Sequence, residues 1–531
     1  MQIHMHTMRT RLNFYNYDKN VFAVNGLLKR FIKTAPYSIE TNNNIETVRS
    51  YDDIPGPKPV WLIGNTFRFI PFIGEFGNKT FVTQLKMLRD QYGDIVRMDG
   101  LPNKRKTVFI FSSALIEKVY RTEGPWPQRI SMESLHYYRK NRDWIYKGKY
   151  GLTTSQGKDW YDFRTKVNQH MMQPRVINPH IGQMTEIAVE FIQKIREELR
   201  DPITLELPAT FNNEMNKWAL ESICAIALNH RLGCLKSDIA EDSEPQRMID
   251  SIHDMFDLMF RLELMPSLWR VYNTRTLKKF FNVLDILNGI AIKYITQAKE
   301  RLHNDATSSA CERSVLDKLL FIDEQIAYVM ALDMLTAGVD TTSNTCGMLL
   351  YHLAMNPRAQ EKLHEEIRLV LPDKESPITV ETMKKIPYLK ACLKESLRIS
   401  PIAIGTLRTV RDNINIGGYH IPKDCDIILG HSLLAVDPKE FKNPEEFIPE
   451  RWIRGEKEFP SAKDAHPFSY MPFGFGARAC IGRRFAEFEI EILVLKLLQN
   501  FRIEWHHSPV KLNNRLINTI ASPLQFKLID L

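Results

Sequence analysis

One cysteine near the C-terminal end of the chain stands in a loop whose residues favour a reactive thiolate. Cys480 follows Gly474 and Gly476 and precedes Gly482 in the stretch FGFGARACIGRRFAEFE, residues 473–489. Glycines permit positive φ angles and close backbone approach, so this loop can wrap around one sulfur and direct N–H groups at it. An amphipathic helix is predicted directly after the loop, and its positive end favours the thiolate. Taken alone, such a cysteine is more often a small buried hydrophobic residue, so its role depends on the rest of the pattern.

An acid and neighbouring hydroxyls form a second group that could do chemistry. The stretch DMLTAGVDTTSN, residues 333–344, places Gly338 inside a predicted helix, where glycine costs about 1 kcal/mol relative to alanine. Asp340 and Thr341 follow it. A positioned hydroxyl beside a carboxylate can pass protons to a reacting oxygen. Without the cysteine loop, the same pair would fit equally well as an N-cap-like feature at a break in an unrelated helix.

The elements that must position these residues are mostly helices. Apolar residues recur at three- and four-residue spacing through residues 157–370, which predicts a region that is nearly all helix. Further helices are predicted from Lys79 to Tyr92 and over 483–500. The stretches VRM and KTVFIF, with others beyond residue 400, predict short strands, and a coil is predicted from Asp437 to Pro472. The pattern indicates a mainly α fold with a small β region.

Composition and charge exclude several classes of protein. The 531 residues are 44% hydrophobic and 25% charged, which is typical of a chain that buries a large core. Seven cysteines without a Cys-x-x-Cys pair argue against a disulfide framework or a structural zinc site. The net charge is +8, and residues 1–39 supply most of it with six Lys/Arg against one acid. The body therefore lacks the dense basic patches of a nucleic-acid binder, and no nucleic-acid partner is expected.

The first 39 residues have the composition of a targeting segment. A basic, acid-poor leader that contains arginine is typical of a mitochondrial transit peptide, the alternative being a disordered basic tail. Residues 40–53 predict a polar linker, and the prolines of IPGPKP mark the start of a folded domain that spans residues 54–531. Because no run of about eighteen apolar residues occurs, no transmembrane helix is predicted.

The pattern around the cysteine resembles a known family signature. Phe473-x-x-Gly476-x-Arg478-x-Cys480-x-Gly482 closely resembles the signature of the cytochrome P450 family, and the resemblance extends over residues 54–531. It implies a single large haem-thiolate monooxygenase fold, haem b as the cofactor and Cys480 as the axial ligand of the iron. In the family, the phenylalanine packs near the sulfur. A thiolate ligand donates electron density that favours O–O bond cleavage.

Four residues far apart in the sequence resemble the family's propionate-binding set. Trp160 and Arg164 lie one helical turn apart in DWYDFR, Arg408 stands in GTLRTVRD, and Arg478 completes the set. Arginine suits this role because its planar fork meets a carboxylate with two hydrogen bonds. Separately, such a tryptophan is usually a core residue and such an arginine usually a surface one. Since one cofactor would join all four, the resemblance implies one large domain.

By the same resemblance, the helix that contains residues 333–344 crosses the distal face of the haem. Gly338 would make room for O2, and Asp340 and Thr341 would conduct protons to it.

Three further charged residues resemble the family's structural ion pair. Glu395 and Arg398 are spaced i, i+3 in YLKACLKESLRIS, and Arg451 of FIPERW joins them. Removing one partner from such a buried group typically costs about 3–5 kcal/mol. These residues are assigned to folding and to support of the haem loop, not to catalysis.

Two lysines indicate the branch of the family. Lys390 and Lys394 lie one turn apart on the helix of Glu395, and in mitochondrial members such a pair docks an adrenodoxin-like [2Fe–2S] ferredoxin. A solvated lysine face is the simpler alternative.

The segment LELMPSLWRVY, residues 262–272, with Arg261 beside it, predicts peripheral contact with the inner mitochondrial membrane from the matrix side, although core packing is a close alternative.

The resemblance as a whole implies an enzyme that hydroxylates a hydrophobic small molecule, such as a steroid, sterol or xenobiotic, with O2 and electrons from a ferredoxin. Two other functions are weighed against it. One is a haem-thiolate isomerase or dehydratase, which the intact Asp340–Thr341 pair disfavours. The other is a non-catalytic haem-binding protein. Substrate specificity is expected in the 79–92 region, the 125–150 loop and the 244–275 segment.

Overall fold

Helices make up most of the folded chain, as the spacing of apolar residues predicts. The computed structural model describes residues 48–531 apart from 62, 102–103, 238, 241 and 305–313. The predicted leader and most of the predicted linker therefore lie outside the described residues. In chain order the α-helices are α1 (Phe81–Tyr92), α2 (Ser113–Thr122), α3 (Glu133–Lys140), α4 (Asp143–Tyr146), α5 (Gly151–Thr154), α6 (Gly157–Met171), α7 (Ile181–Lys194), α8 (Phe211–Leu228), α9 (Glu244–Glu263), α10 (Arg275–Asn304), α11 (Val315–Leu320), α12 (Glu324–Met355), α13 (Pro357–Val370), α14 (Val380–Lys384), α15 (Pro387–Ile399), α16 (His431–Ala435) and α17 (Arg483–Asn500).

The helix boundaries follow local signals in the sequence. The predicted helix near residue 79 starts at Phe81, because Thr80 caps it by accepting a hydrogen bond from the backbone N–H of Thr83 at 3.2 Å. The helix predicted over 483–500 is α17, with the same bounds. The predicted helical region of residues 157–370 contains α6 to α13. These helix predictions are confirmed.

The strands form one mixed sheet and three small pairs. They are β1 (Ile95–Arg97), β2 (Thr107–Ile110), β3 (Thr406–Thr409), β4 (Ile414–Ile416), β5 (Tyr419–Ile421), β6 (Asp426–Leu429), β7 (Phe501–Glu504), β8 (Leu512–Asn514), β9 (Asn518–Ile520) and β10 (Lys527–Asp530). The mixed sheet has the order β1-β2-β6-β3, in which β2 and β6 run parallel and the other neighbours are antiparallel. The pairs are β4–β5, β7–β10 and β8–β9. The sheet places β6 beside β2, and an isolated bridge between Thr409 and Gln128 joins the end of β3 to the first quarter of the folded chain.

The long helix α12 runs through the middle of the helical core. Asp323 caps it by accepting from the backbone N–H groups of Gln325 and Ile326, both at 3.1 Å. Its apolar residues lie on all sides and most are buried, which is the pattern of a helix enclosed by others. α12 packs against α8, α15 and α17. The stretch with Asp340 and Thr341 is therefore held at the centre of the molecule.

The first described residues contact the β4–β5 hairpin. The backbone N–H of Arg49 donates to the carbonyl of Gly418 at 2.9 Å, and Tyr51 and Ile54 are buried. Residues 48–531 form one compact unit. Among the helices that the structure describes, none is both long and apolar enough to cross a bilayer.

Candidate functional site

The loop before α17 holds Cys480 in a tight turn. The backbone N–H of Cys480 donates to the carbonyl of Phe473 at 2.8 Å, which closes the loop. Gly474 and Gly476 both adopt a φ of 71°, in the left-handed region where a side chain would cause strain. A Cβ on Gly476 would also lie 2.9 Å from Oε1 of Glu123. The backbone path of the loop therefore requires these glycines.

The thiol of Cys480 is accessible, unlike the thiols of the other five described cysteines, which are buried. Although Cys480 is exposed, desolvation by the protein atoms around its sulfur raises the pKa of the thiol. The backbone N–H groups of Gly482 and Arg483 and the charge of Arg164 act in the opposite direction. These N–H groups lie at the start of α17, where the helix presents its positive end. A metal ion bound at the accessible side would keep the sulfur as a thiolate.

Four arginines lie in the same region. Arg164 comes from α6, Arg408 from β3, Arg478 from the cysteine loop and Arg129 from the segment before α3. The first three are buried and Arg129 is half-buried. Glu123 accepts a hydrogen bond from Arg408 and is the carboxylate that pairs with this cluster in the described chain. The cluster therefore has an excess of positive charge.

The burial and the like charges of these arginines favour a bound anion. Burial and the charges of Arg129 and Arg408 lower the pKa of Arg478 to about 8. Burial lowers the pKa of Arg164 to about 10, and burial with the neighbouring arginines lowers that of Arg129 to about 10. The Nε atoms of Arg129 and Arg164 are buried and have no hydrogen-bond partner among the described residues. A bound group with two carboxylates would offset these charges and supply the acceptors.

Haem b fits both parts of the site. It carries two propionate carboxylates, which suit the arginine cluster, and an iron that takes a cysteine thiolate as an axial ligand, which suits Cys480. The described residues of the site therefore match haem b, the cofactor that the sequence resemblance implies.

Arg478 and Trp160 connect the cysteine loop to the neighbouring helices. The guanidinium of Arg478 lies 4.0 Å from the centre of the buried Trp160 ring. It donates four hydrogen bonds, to the carbonyls of Pro127, Leu152 and Ser155 and to the side chain of Gln156. The sequence predicts a propionate contact for Arg478, whereas four of its five N–H groups bond the protein in this structure. Arg478 thus fastens the loop to the α5–α6 region.

The predicted alcohol lies on α12, one residue after the acid. Thr341 is half-buried, and its hydroxyl donates to the carbonyl of Ala337 at 2.7 Å. Gly338 faces α8, since a Cβ at this position would lie 2.8 Å from Cγ1 of Ile223. The neighbours of Gly338 therefore indicate close packing of two helices, whereas the sequence predicts room for O2.

The predicted acid has a partner on another helix. Asp340 is 1% exposed, and its Oδ1 lies 2.9 Å from Nε2 of His253 on α9. Burial lowers the pKa of His253, but the hydrogen bond and charge of Asp340 outweigh it, so that the pKa is raised. Asn216 of α8 contacts the same His253 nitrogen at 3.3 Å. The carboxylate of Asp340 therefore lies against α9.

Comparisons with known proteins identify the family of the chain. The model of the cytochrome P450 family matches residues 54–528. The chain belongs to the cytochrome P450 family. It is similar to the probable cytochrome P450 12b2, mitochondrial, of Drosophila melanogaster, with 37% identity over 491 residues, 91% of this chain and 90% of the relative. It is also similar to cytochrome P450 CYP12A2 of Musca domestica, with 38% identity over 499 residues, 91% of this chain and 92% of the relative.

Membership of the cytochrome P450 family confirms the predicted fold class, the enzyme class and the cofactor. The protein is a monooxygenase oxidoreductase with haem b. The mainly helical chain with its small sheets has the cytochrome P450 fold.

The structural ion group of this cytochrome P450 is fully buried. Oε1 of Glu395 accepts from Nη2 of Arg398 and Nε of Arg451, both at 2.9 Å, and from the backbone N–H of Ile448 at 3.1 Å. Oε2 accepts from Nε of Arg398 at 3.0 Å and from Nε1 of Trp452 at 2.8 Å. The side chains of the carboxylate and both arginines are 0% exposed. The structure brings together the three residues that were grouped from the sequence. It adds two neutral hydrogen-bond donors, the backbone N–H of Ile448 and the indole N–H of Trp452.

The two lysines lie on α15 in different settings. Lys394 is exposed, with its Nζ 5.9 Å from the ring centre of Trp452. Lys390 is half-buried, and its Nζ donates to the carbonyl of Met383. Both are near the surface of the cytochrome P450, but Lys394 is the more available for a partner.

Sequence reasoning missed three residues of this cytochrome P450 site. Arg129 and Glu123 belong to the arginine cluster, and His253 contacts Asp340. No local spacing connects any of them to Cys480 or Asp340. A search for basic residues in the predicted 125–150 specificity loop would have found Arg129 but not its neighbours.

Proposed function

We propose that this cytochrome P450 is a mitochondrial monooxygenase that hydroxylates a lipophilic small molecule, such as a steroid, sterol or xenobiotic, with O2 and electrons from an adrenodoxin-like [2Fe–2S] ferredoxin. The observation that carries the proposal is the exposed Cys480 beside a cluster of four arginines that pairs with one carboxylate, Glu123, in the described chain. The relatives from Drosophila melanogaster and Drosophila acanthoptera, the latter 37% identical over 463 residues, are named mitochondrial, which supports the compartment.

The chain's own residues divide the work of binding the cofactor and moving protons. Cys480 holds the iron, Trp160, Arg164, Arg408 and Arg478 hold the propionate side, and Phe473 and Gly476 shape the loop. When bound, haem with a thiolate ligand supplies the activation of O2. Asp340 and Thr341 hold and pass protons at their carboxylate and hydroxyl oxygens. Glu395, Arg398 and Arg451 stabilise the fold around the cysteine loop.

A large apolar cavity supports a lipophilic substrate. It has a volume of about 660 Å³, within the roughly 300–1,000 Å³ typical of small-molecule sites. Aromatic side chains from three segments line it, among them Phe76, Phe109 and Phe260. Two of the predicted specificity regions, 79–92 and 244–275, contribute to this lining, as do Arg129 and residues 130–133 of the third.

The position of the lysines supports an acidic electron donor. Lys390 and Lys394 lie on α15, the helix that also carries Glu395 and Arg398. Burial raises the pKa of the nearby Glu491 to about 8, which leaves the positive charge of the lysines less compensated near neutral pH. An acidic ferredoxin surface would be attracted to such a patch.

Exposed apolar side chains support peripheral contact with the inner membrane on the matrix side. In the predicted 262–272 segment, Val271 and Tyr272 are exposed, whereas Trp269 is buried. Arg261 and Arg270 form ion pairs with Asp257 and Glu133, so the apolar side chains carry this proposal more than free basic charge does.

A second exposed apolar segment strengthens the membrane proposal. Trp61, Phe72 and Ile73 are 86%, 94% and 76% exposed. Phe76 and Phe81, which follow this segment, line the large cavity, and so do residues of the 262–272 segment. A side of the protein that faces the membrane would therefore admit lipophilic molecules to the cavity.

We also propose that residues 1–39 act as a mitochondrial transit peptide, 40–53 as a linker and 54–531 as the catalytic domain.

Reconstitution tests the proposal. The purified protein should show a band near 450 nm when carbon monoxide is added to the reduced form, and Cys480→Ser should lose it. A panel of steroids, sterols and lipophilic xenobiotics should include compounds that shift the ferric Soret band. A [2Fe–2S] ferredoxin with its reductase should then support hydroxylation, whereas a diflavin reductase should not. Equal turnover with the diflavin reductase would contradict the mitochondrial proposal.

A further inference from the structure

A polar pocket lies beside the central helix, on the side that holds Asp340. It has a volume of about 430 Å³ and is lined by residues of α8, α9, α12 and the β8–β9 hairpin. Its polar side chains include Asn216, His253, Asp340 and Asn344. A pocket of this size and polarity has room for several water molecules.

His253 connects this pocket to the buried acid. The imidazole side chain is 44% exposed, whereas the side chain of Asp340 is 2% exposed. Their contact at 2.9 Å is the one ion pair that Asp340 forms in the described chain. His253 is thus the solvent-exposed partner of a carboxylate whose own side chain is almost fully buried. An imidazole is the side chain best suited to take up and release protons near neutral pH.

The polar pocket and the apolar cavity share part of their lining. Phe256, Arg515, Leu516 and Ile517 line both spaces. Arg515, which forms an ion pair with Asp257, is part of this shared lining. The polar pocket therefore gives Asp340 an opening next to the cavity proposed for the substrate.

We propose that His253 is the solvent-facing proton donor of the oxygen-activating site, and that it recharges the carboxylate of Asp340 during turnover. The inference rests on the proposed role of Asp340. Each hydroxylation consumes two protons, according to R–H + O2 + 2 e⁻ + 2 H⁺ → R–OH + H2O, with the electrons from the redox partner. In each transfer the N–H bond of the imidazolium breaks, an O–H bond forms on Asp340, and the imidazole regains its proton from water in the polar pocket.

The charges around His253 favour its protonated form. Asp250 and Asp254 lie on the same helix, and Asp254 is paired with Lys279 of α10 at 3.1 Å. From the other elements, Asp340 faces it from α12, and Arg515 lines the same pocket from the β8–β9 hairpin. The acidic residues together raise the pKa of His253 against the opposing effect of desolvation, and this rise favours the imidazolium form.

Turnover in light and heavy water tests the proposal. The holoprotein is assayed with a ferredoxin system and 7-ethoxycoumarin as a lipophilic probe. His253→Gln should lower the rate at least about tenfold and raise the solvent isotope effect, since proton transfer by a positioned group typically contributes 10²–10⁴-fold. His253→Lys, which keeps an N–H donor, should recover part of the rate. His420→Gln, a substitution in the β4–β5 hairpin, is the matched control and should change neither quantity.

A titration that needs no turnover gives a second readout. In the diamagnetic ferrous carbon monoxide form with ¹³C-labelled histidine, one resonance should titrate above the ordinary histidine range in the parent and return towards it in Asp340→Asn. If no resonance responds to Asp340→Asn, the proposal is overturned, even should His253→Gln fail to fold.

The outcomes separate this proposal from the one on which it rests. If Asp340→Asn slows turnover but a folded His253→Gln stays within twofold of the parent, the carboxylate receives its protons elsewhere and only the role of His253 is wrong. If neither substitution slows turnover, the proposed role of Asp340 fails as well. Equal losses in both single variants and in the double variant would support one shared path.

Discussion

Replacing Glu395 by glutamine should destabilise the fold strongly although it changes a single atom. The carboxylate accepts five hydrogen bonds, three on Oε1 and two on Oε2. A glutamine amide keeps one acceptor oxygen, so its best orientation preserves the three bonds and turns an NH2 group towards the Arg398 and Trp452 donors. Two bonds are lost, at about 1.5–3 kcal/mol each where a charged group is involved.

This sum is about 3–6 kcal/mol and agrees with the roughly 3–5 kcal/mol for breaking a buried ion pair. Since a domain's free energy of unfolding is about 5–15 kcal/mol, Glu395→Gln should remove about a fifth of it or more. Urea unfolding followed by circular dichroism, with the band near 450 nm as a second probe, measures the change. The band should disappear at lower urea than in the parent.

Glu381→Gln is the matched control for this substitution. Glu381 also pairs with a basic residue three positions away, Lys384 at 2.7 Å, but both side chains are well exposed. Solvent screens such a pair, so no measurable change in stability is expected. If Glu395→Gln unfolds within about 1 kcal/mol of the parent, the reasoning that this buried group depends on its charge is wrong.

Three further predictions follow from the same geometry. Arg164→Leu should lower the amount of haem retained, read as the Soret-to-280 nm absorbance ratio, without destabilising the haem-free chain, because Arg164 lies in a cluster of like charge. Lys390→Gln and Lys394→Gln should raise the KM for an acidic ferredoxin several-fold and weaken its salt dependence without changing kcat, whereas Lys384→Gln should not. Burial lowers the pKa of His352 to about 4, so its neutral form adds stability above pH 6.5 that is lost as the pH falls towards 4, up to about 3 kcal/mol. His352→Gln should therefore flatten the pH dependence of urea unfolding between these values, and an unchanged slope would contradict the assignment.

The sequence alone predicted the features that depend on residues close to one another along the chain. The glycines around Cys480 and the helix after it are a local pattern, and the structure shows the same loop, closed by the hydrogen bond to Phe473. Glu395 and Arg398 could be grouped because three residues along a helix bring side chains together. The mainly helical character followed from the spacing of apolar residues. Even the lysine pair was visible as a feature of one helix face.

Tertiary structure alone decided which distant residues meet. Arg129 and Glu123 join the arginine cluster because the mixed sheet and the loops beside it bring the first and last parts of the domain together. Gly338 lies against Ile223, a contact that depends on how two helices cross. His253 reaches Asp340 from a helix 87 positions earlier in the chain. Such contacts arise from the packing of whole elements, and no periodicity or spacing within one segment records which element will pack against it.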